Sequence, residues 1–361
     1  MRVCLLGATG TIGRATAGAL VEAGHDLVCL VRLRPDGAAP PQVAGAEVRT
    51  CDLLDRAAIA RDGFRGEAFD AVLSCMASRT GAPKDAWAVD HDAHLAVLQA
   101  AQGAGIGRWV QLSAICVQKP ELAFQHAKLA FERALAASGL VWTIVRPTAF
   151  FKSLSGQIGR LRAGKPYLMF GDGRLNACAP ISDEDLADFL VARLTDPESA
   201  GRILPIGGPG PALTPRDQGE LLFAAAGKPV RFAQAPVWLL DAVIGVLSVL
   251  GRIAPALADK AELARIGRYY ATESMLVLDP ATGRYDDAAT PRHGTRTLGQ
   301  HYADVIAGRA RADLGDHAVF VASGVAMALA GFTALALGWC VLRFARLRPA
   351  APGPAARPFR I

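Results

Sequence analysis

A glycine-rich turn near the N-terminus constrains the fold of this chain more than any other feature. The segment GATGTIG, residues 7–13, lies between an apolar strand pattern at residues 2–6 and a helical pattern. In such a turn Gly7 permits a tight bend, Gly10 lets the backbone approach a pyrophosphate, and Gly13 lets helix and strand pack closely. This placement predicts a dinucleotide-binding site. The predicted contacts are Gly7, Thr9, Gly10, Thr11, Ile12 and Gly13.

Strand and helix patterns alternate through the first half of the chain. Strands are predicted at residues 2–6, 27–31, 47–50, 71–75, 109–112 and 141–145, and helices at residues 11–23, 86–101 and 122–137. Strands separated by helix-length segments form a parallel sheet covered on both faces, so we predict an α/β fold with a doubly wound Rossmann sheet. After residue 146 the pattern becomes irregular. We therefore predict a cofactor domain at residues 1–150 and a smaller substrate-binding lobe at residues 151–316.

Composition argues against several classes of function. Hydrophobic residues make up 52% of the 361 residues, which is enough for a sizeable core. The net charge is +6, but residues 343–361 carry five arginines and no acid, so the body has only +1 and should not bind nucleic acid. The seven cysteines form no C-x-x-C pair, which argues against a metal site. Because no leader precedes MRVCLLGATG, we expect a reducing cytoplasmic compartment.

A second constraint comes from residues 318–342, which are 25 consecutive residues without a charge. About 20 apolar residues suffice to cross a bilayer as a helix, so a third region, residues 317–361, should hold a membrane helix and an arginine-rich tail. The arginines favour a tail in the cytoplasm, where the body is also expected, and a single crossing cannot place both on that side. A re-entrant or interfacial helix and a translocated tail therefore both remain open. The expected location is the cytoplasmic face of the inner membrane. Residues 236–255 are also apolar and predict a packing or membrane-surface helix.

The ends of the second and third strands carry the residues that should select the cofactor. Arg32 stands where an NAD-dependent enzyme would place an acid, and a guanidinium there pairs with a 2′-phosphate, which favours NADPH. Asp52 and Leu53 follow the third strand and resemble a pair that contacts adenine. Asp52 is equally compatible with capping the turn that follows.

The segment FQHAKLAF, residues 124–131, departs from the usual dehydrogenase pattern. In that pattern a Tyr stands four residues before a Lys, so that the phenol can donate a proton. Here Lys128 is present, but Phe124 occupies the Tyr position, and none of the five tyrosines stands four residues before a lysine. Ser113 keeps the position of the usual Ser, as a positioning residue. Lys128 is predicted to bind the nicotinamide ribose, with a solvated helix residue as the alternative.

The sixth predicted strand ends in Arg146-Pro147, followed by Thr-Ala-Phe150-Phe151. This segment matches the R-P-x-x-F/W motif that lies beside the nicotinamide in atypical short-chain dehydrogenases, so Arg146 and Pro147 are predicted cofactor contacts. A strand-end turn with two core aromatics would produce the same pattern.

Two longer stretches are similar to one family within this group. They are SAICVQKPELAFQHAKLAFE, from residue 113, and DKAELARIGRYYATESMLVLDPATGRYDDAATPRHGTRTL, from residue 259. Both resemble the NADPH-dependent divinyl chlorophyllide 8-vinyl reductases, which are atypical short-chain dehydrogenases of the NmrA-like, isoflavone-reductase-like type. The resemblance covers about residues 1–316. It implies reduction of the C8 vinyl group of 3,8-divinyl (proto)chlorophyllide a to ethyl by NADPH, in chlorophyll or bacteriochlorophyll biosynthesis.

This reaction would explain the missing phenol. Hydride addition to the terminal vinyl carbon places negative charge next to a conjugated ring, which can absorb it, so an acid aimed at an oxyanion is not required. A large flat substrate also needs apolar walls. The candidate wall residues are Phe124, Phe150, Phe151, Tyr270 and Met275. Two other functions remain open: a non-catalytic NADPH-sensing regulator or assembly factor, and a membrane-associated reductase of a quinone or isoprenoid.

Overall fold

The computed structural model describes residues 1–32 and 42–311. The strands are β1 Arg2–Leu6, β2 Asp26–Arg32, β3 Ala46–Cys51, β4 Ala71–Ser74, β5 Arg108–Leu112, β6 Val141–Pro147, β7 Tyr167–Phe170, β8 Arg202–Ile206, β9 Phe232–Ala235, β10 Val277–Leu278 and β11 Tyr285–Asp286. The α-helices are α1 Thr11–Glu22, α2 Arg56–Ala58, α3 Pro83–Ala86, α4 His94–Gly103, α5 Ala123–Ala136, α6 Phe151–Leu154, α7 Ile158–Arg162, α8 Asp183–Ala192, α9 Pro215–Ala225, α10 Trp238–Leu250, α11 Pro255–Thr272 and α12 Leu298–Ile306. Of two π-helical segments, Ile59–Phe64 follows α2 directly, and Trp87–Ala93 connects α3 to α4.

The main sheet has seven parallel strands in the order β3-β2-β1-β4-β5-β6-β8. The chain crosses over between β3 and β4, so the strand order reverses at β1, as in a Rossmann fold. The predicted α/β class and doubly wound parallel sheet are therefore confirmed.

The last strand of this sheet, β8, comes from the C-terminal side of the predicted domain boundary at residue 150. It pairs with β6 in a register that places Val145 opposite Leu204 and Arg146 opposite Pro205. The strand β8 carries no clear signal in the sequence because Pro205 is untypical of strands, although such a residue is tolerated in an edge strand. The division at residue 150 stays a prediction, although the sheet itself extends beyond it.

Alternating side chains of the buried strands build two hydrophobic layers, one on each face of the sheet. On β1, Cys4 and Leu6 point to the layer that contains Trp109 and Phe131 of β5 and α5. Val3 and Leu5 point to the opposite layer, which α1 and α8 cover. This alternation follows from the two-residue period of a strand and explains why the central strands are apolar throughout.

The C-terminal region forms a lobe over the carboxyl edge of the sheet. Its own core joins β7, α9 and α12 around Tyr167, Phe223 and Tyr302. The helices α10 and α11 form an antiparallel helical hairpin with a connection at residues 251–254. Helix α11 also packs against the region around Phe124. Within residues 1–32 and 42–311, no helix combines the length and apolar character needed to span a membrane. The predicted membrane segment, residues 318–342, lies outside the described residues.

Candidate functional site: the cofactor turn and the Lys128 region

The glycine turn connects β1 to α1 and has the geometry that the motif predicts. Gly7 has φ +80°, in the left-handed region that favours glycine. A Cβ atom on Gly7 would lie 2.6 Å from the Cys75 carbonyl carbon, and one on Gly13 would lie 2.0 Å from the Gly7 carbonyl oxygen. A Cβ on Gly10 would meet nothing closer than 3.6 Å. The fold itself therefore requires Gly7 and Gly13, whereas Gly10 leaves open space.

That open space lies at the N-terminus of α1, where Gly10 is the N-cap residue. No side chain caps the helix there, and the first backbone N–H groups of a helix favour an anion. Thr9 is exposed and Thr11 half-buried, while the Ile12 side chain lies in the core. The residues present therefore fit the pyrophosphate of a dinucleotide, with Ile12 contributing its backbone.

Arg32 and Asp52 lie at the ends of neighbouring strands. Arg32 is the last residue of β2, is exposed, and stands opposite Cys51 of β3. Asp52 follows directly, and its Oδ1 accepts the N–H of Leu54 at 2.9 Å. The N-cap of α2 is Asp55. Asp52 therefore stabilises a turn rather than the helix.

Leu53 is buried, so its side chain belongs to the core layer beneath this edge. The predicted adenine contact of Asp52 and Leu53 stays a prediction. The same holds for the interaction of Arg32 with a 2′-phosphate.

Lys128 is held by a buried acid. Its Nζ donates to Oδ1 of Asp90 at 2.9 Å, and the Asp90 side chain is completely buried. Ser78, in the loop after β4, donates its hydroxyl to Asp90 Oδ2 at 2.6 Å and its N–H to Oδ1 at 3.2 Å. Lys128 is thus an oriented residue, and the alternative of a solvated helix lysine is wrong for this structure. An ammonium group has three donors, and among residues 1–32 and 42–311 only Asp90 accepts from it, which leaves two donors for a ligand.

Ser113 points to a different acid. Its hydroxyl donates to Oε1 of Glu132 at 2.5 Å, and Arg146 pairs with both carboxylate oxygens of Glu132. Glu132 and Ser113 are buried. The structure therefore links Ser113 and Arg146, two predicted site residues, through Glu132. Pro147 directly follows Arg146, ends β6 and is buried.

A neutral histidine lies beneath the Lys128 region. His94 Nε2 lies 2.8 Å from Ser74 Oγ, and Nδ1 lies 2.8 Å from the Val89 carbonyl oxygen. Burial, and then the positive charge of Lys128, lower the pKa of His94 from 6.5 to about 4. His94 is therefore uncharged at neutral pH.

Phe124 lies in an apolar cluster that α5 and α11 share. The cluster includes Cys116, Ile266, Tyr269 and Met275, and Phe124 is 8% exposed. Tyr269 is fixed, since its hydroxyl donates to the carbonyl oxygens of Cys116 and Lys119 at 3.0 and 2.9 Å. The Tyr position of the usual dehydrogenase pattern is thus filled by a packed aromatic residue.

The other predicted wall residues do not all meet at this cluster. Tyr270 is 45% exposed, and its hydroxyl lies 3.7 Å from the Cys116 sulfur. Phe150 packs beside the layer formed by α1 and α8, whereas Phe151 lies in the core of the C-terminal lobe, with its ring centroid 5.2 Å from that of His301. The structure therefore brings Phe124 and Met275 together, with Tyr270 at the margin, and places Phe151 elsewhere.

Sequence reasoning missed three groups that organise this site: Asp90, Glu132 and His94. Glu132 had a local signal, because it stands four residues after Lys128 and so on the same side of α5. Asp90 lies 38 residues from Lys128 in the chain. Nothing in the pattern of residues 86–101 distinguishes it from a surface acid.

Comparison with known proteins agrees with this geometry. A family model described as NAD(P)H-binding matches residues 7–197. The chain is 47% identical over 332 residues to "Divinyl chlorophyllide a 8-vinyl-reductase, chloroplastic" of Oryza sativa subsp. indica. The alignment covers 88% of this chain and 82% of the relative. It is 43% identical to the protein of that name from Arabidopsis thaliana, over 88% and 79% of the two chains. The chain belongs to the divinyl chlorophyllide a 8-vinyl-reductase family.

A solved structure with the same fold is the binary complex of leucoanthocyanidin reductase with NADPH from Vitis vinifera. Its TM-score is 0.58 at 15% identity, and the match covers 85% of this chain and all of that one (100%). At that identity the likeness concerns the fold alone. In this member of the 8-vinyl-reductase family, the second stretch of sequence resemblance, from residue 259, forms most of α11 and continues through β10 and β11. Ile266 and Met275 of this stretch pack in the same hydrophobic cluster as Phe124.

Proposed function

We propose that this chain reduces the C8 vinyl group of a divinyl chlorophyllide-type macrocycle to ethyl, using NADPH. Family membership supports this function, and so does a specific observation at the site. An apolar cluster around Phe124 lies one helical turn from Lys128, which is oriented and still has donors to offer. Such a site suits hydride transfer to a flat apolar substrate better than reduction of a carbonyl group, which needs a placed acid.

When bound, NADPH supplies the hydride. The N-terminus of α1 would hold the pyrophosphate, and the two remaining donors of Lys128 would bind the ribose hydroxyls and so fix the nicotinamide. The side chain of Phe124 would exclude water from the reacting carbon. The main contribution of the protein is orientation.

The balance of the reaction explains why no phenol is needed. Hydride forms a C–H bond at the terminal vinyl carbon, the vinyl π bond breaks, and its electron pair enters the conjugated macrocycle from the ring-attached carbon. A proton then adds to that carbon, from water or a loosely placed group. If deuteride from labelled NADPH appears at the ring-attached carbon instead, this order of steps is wrong.

The preference for NADPH over NADH rests on Arg32. Its exposed guanidinium stands at the end of β2, where the adenosine ribose lies in Rossmann folds. A charge-assisted pair with the 2′-phosphate would contribute about 1.5–3 kcal/mol, or roughly 10- to 150-fold in affinity. Arg32→Ala should therefore reduce the ratio of kcat/KM for NADPH to that for NADH, while Lys84→Ala, at an exposed position after β4, should leave that ratio unchanged.

We also propose that the enzyme works at the cytoplasmic face of the photosynthetic inner membrane. The support is the uncharged run at residues 318–342, outside the described residues, together with a substrate that partitions into lipid. Fractionation of cells that express the full chain, compared with a chain ending before residue 318, tests this location. Recovery of the full chain in the soluble fraction would contradict it.

Turnover is the decisive test of the function. Purified full-length protein, NADPH and divinyl chlorophyllide a should give a blue shift of the Soret band, with one NADPH oxidised per vinyl group reduced. NADPH binding with no shift would favour a sensor or assembly factor. NADPH oxidation that requires an added quinone, again without a shift, would favour the membrane quinone reductase.

A further inference from the structure

The helix α10 exposes an apolar face to solvent. Its exposed apolar side chains, with Ile253 beyond its end, recur with helical spacing on one side. We call this set the apolar stripe: Trp238, Ala242, Val246, Val249, Leu250 and Ile253. Trp238 is 60% exposed, Val249 59% and Ile253 84%. Few large apolar side chains elsewhere in the described residues are as exposed.

The opposite side of α10 is already engaged by the protein. Leu240 is buried, Asp241 pairs with Arg268 of α11, and Ser248 Oγ accepts from Arg265 at 2.8 Å. The hairpin is therefore anchored through α11, and α10 cannot turn its apolar stripe inward without breaking these contacts. A helix that is apolar on nearly all sides is normally buried in a protein core or in a membrane, so the exposed stripe indicates a missing partner.

A second copy of the chain is a poor occupant for the apolar stripe. The 13 residues of α10 span about 20 Å, and a helix is about 10 Å across. One face therefore offers roughly 200 Å², against about 800 Å² per partner in a stable interface. The stripe alone is too small to hold a dimer.

The chain's own apolar segment is also a poor occupant. Residues 318–342 number 25, and as a helix they would extend over about 38 Å. A stripe of about 20 Å could cover only about half of that length, and only one side of it. A lipid phase would still have to cover the rest.

We propose that the apolar stripe lies on the surface of a lipid bilayer, with the side chains of Val249, Leu250 and Ile253 inserted below the headgroups. Trp238 at one end and Arg252 at the other are residue types that favour the interface, where an apolar body meets a polar layer. The apolar segment at residues 318–342 would keep the stripe close to the bilayer and raise its effective concentration there.

This docking would place the candidate site next to lipid. The helix α11, which forms the other half of the hairpin, carries Ile266 and Tyr269 into the cluster around Phe124. A macrocycle dissolved in the bilayer would then reach the site along the hairpin without crossing water. This last step rests on the proposed function, but the docking itself does not.

The test uses the full chain with a fluorescent label. Val249→Cys carries an environment-sensitive nitrobenzoxadiazole probe, and Asp188→Cys, an exposed position on α8, is the matched control. The unsubstituted chain, labelled in parallel, gives the background from native thiols. Vesicles of phosphatidylcholine and phosphatidylglycerol are prepared with and without a spin label on the lipid acyl chains.

At position 249 we expect a shift of emission to shorter wavelength on adding vesicles, because the apolar face of an interfacial helix lies about 5–10 Å into the headgroup and acyl boundary. The spin label on the acyl chains should then quench this probe severalfold. The probe at position 188 should show neither effect. A blue-shifted probe at 249 before vesicles are added, unquenched afterwards, would mean that the chain covers its own stripe. Dependence on protein concentration without lipid would mean a second copy. A probe that stays in water while the protein sediments with vesicles would also overturn the proposal. No outcome depends on turnover, so failure here is distinct from failure of vinyl reduction.

Discussion

Lys128 and Asp90 form an ion pair at 2.9 Å in which the lysine side chain is only 11% exposed and the aspartate side chain is fully buried. Ser78 donates two further hydrogen bonds to the Asp90 carboxylate, one to each oxygen. Because the acid is fixed by both partners, it determines where the ammonium group points. Asp90 thus orients Lys128, and under the proposed function Lys128 would be the cofactor ligand and Asp90 a positioning residue acting through it.

We expect Asp90→Asn to weaken both the fold and NADPH binding. Removing one charge of a buried pair leaves the other uncompensated, which should lower the free energy of unfolding by about 3 kcal/mol. The dissociation constant for NADPH should rise about tenfold, equivalent to about 1.4 kcal/mol. Urea unfolding and a fluorescence titration with NADPH measure the two effects.

The control for this change is Asp92→Asn, on the same π-helical segment, whose side chain is 58% exposed. It should alter stability by no more than about 0.5 kcal/mol and leave NADPH binding unchanged. Lys128→Ala should weaken NADPH use directly. If Asp90→Asn destabilises the chain but binds NADPH normally, the pair is structural only.

Gly13 and Gly10 of the cofactor turn should respond differently to alanine. Gly13→Ala places a methyl group on the Gly7 carbonyl and should cost about 3 kcal/mol or more. Gly10→Ala meets no close atom, so it should cost about 1 kcal/mol or less while reducing NADPH affinity at least about tenfold. Thermal unfolding with and without NADPH separates the two classes.

Gly18 serves as the matched control, since it is exposed on α1 and a Cβ there would meet nothing within 4 Å. Gly18→Ala should stabilise the protein by about 0.5–1 kcal/mol. Normal NADPH binding by Gly10→Ala would show that the cofactor does not approach this turn.

Local patterns predicted the parts of the fold that depend on neighbours in the chain. The turn at residues 7–13 was recognised because steric limits act within a few residues, and the sheet because strands alternate with helices. The pair Lys128–Asp90 could not be predicted, since it joins residues 38 apart whose contact exists only after folding. Phe150 and Phe151 show the same limit. They are adjacent in sequence, yet they pack in different hydrophobic clusters.

The buried His94 predicts an acid-sensitive fold. Its folded pKa of about 4 lies below the ordinary value of 6.5, so between those pH values the unfolded chain binds more protons and stability falls as pH falls. The contribution is complete above pH 6.5 and about 3 kcal/mol of it is lost by pH 4. Unfolding free energies of the unsubstituted chain and His94→Gln, measured across this range, should converge at the acid end.

The exposed His126 provides the control for that experiment. His126→Gln should retain the acid sensitivity of the unsubstituted protein. An identical pH profile for His94→Gln would mean that other groups cause the loss.

Two adjacent tyrosines on α11 should separate stability from substrate contact. Tyr269→Phe removes hydrogen bonds to two carbonyl oxygens and should cost about 1–2 kcal/mol of unfolding free energy. Tyr270→Phe loses only a weak contact with the Cys116 sulfur and should change stability by less than about 1 kcal/mol. If Tyr270 lines the substrate pocket, the KM of the Tyr270→Phe variant for the macrocycle should rise roughly fivefold, equivalent to about 1 kcal/mol. An unchanged KM would remove Tyr270 from the pocket.

Phe124→Tyr tests whether the missing phenol matters. Phe124 lies in an apolar cluster with Ile266 and Met275, so an added hydroxyl without a partner should cost about 1–3 kcal/mol of stability. Because the charge formed on hydride transfer enters the macrocycle, the new acid should raise kcat for vinyl reduction by no more than about twofold. A general acid that takes part in the reaction typically contributes about 10²-fold or more. Phe131→Tyr, on the same helix but in the layer beneath, should show a similar stability loss and no gain in rate. A hundredfold gain from Phe124→Tyr would mean that proton donation limits the natural enzyme, and that the conjugated ring does not replace the acid.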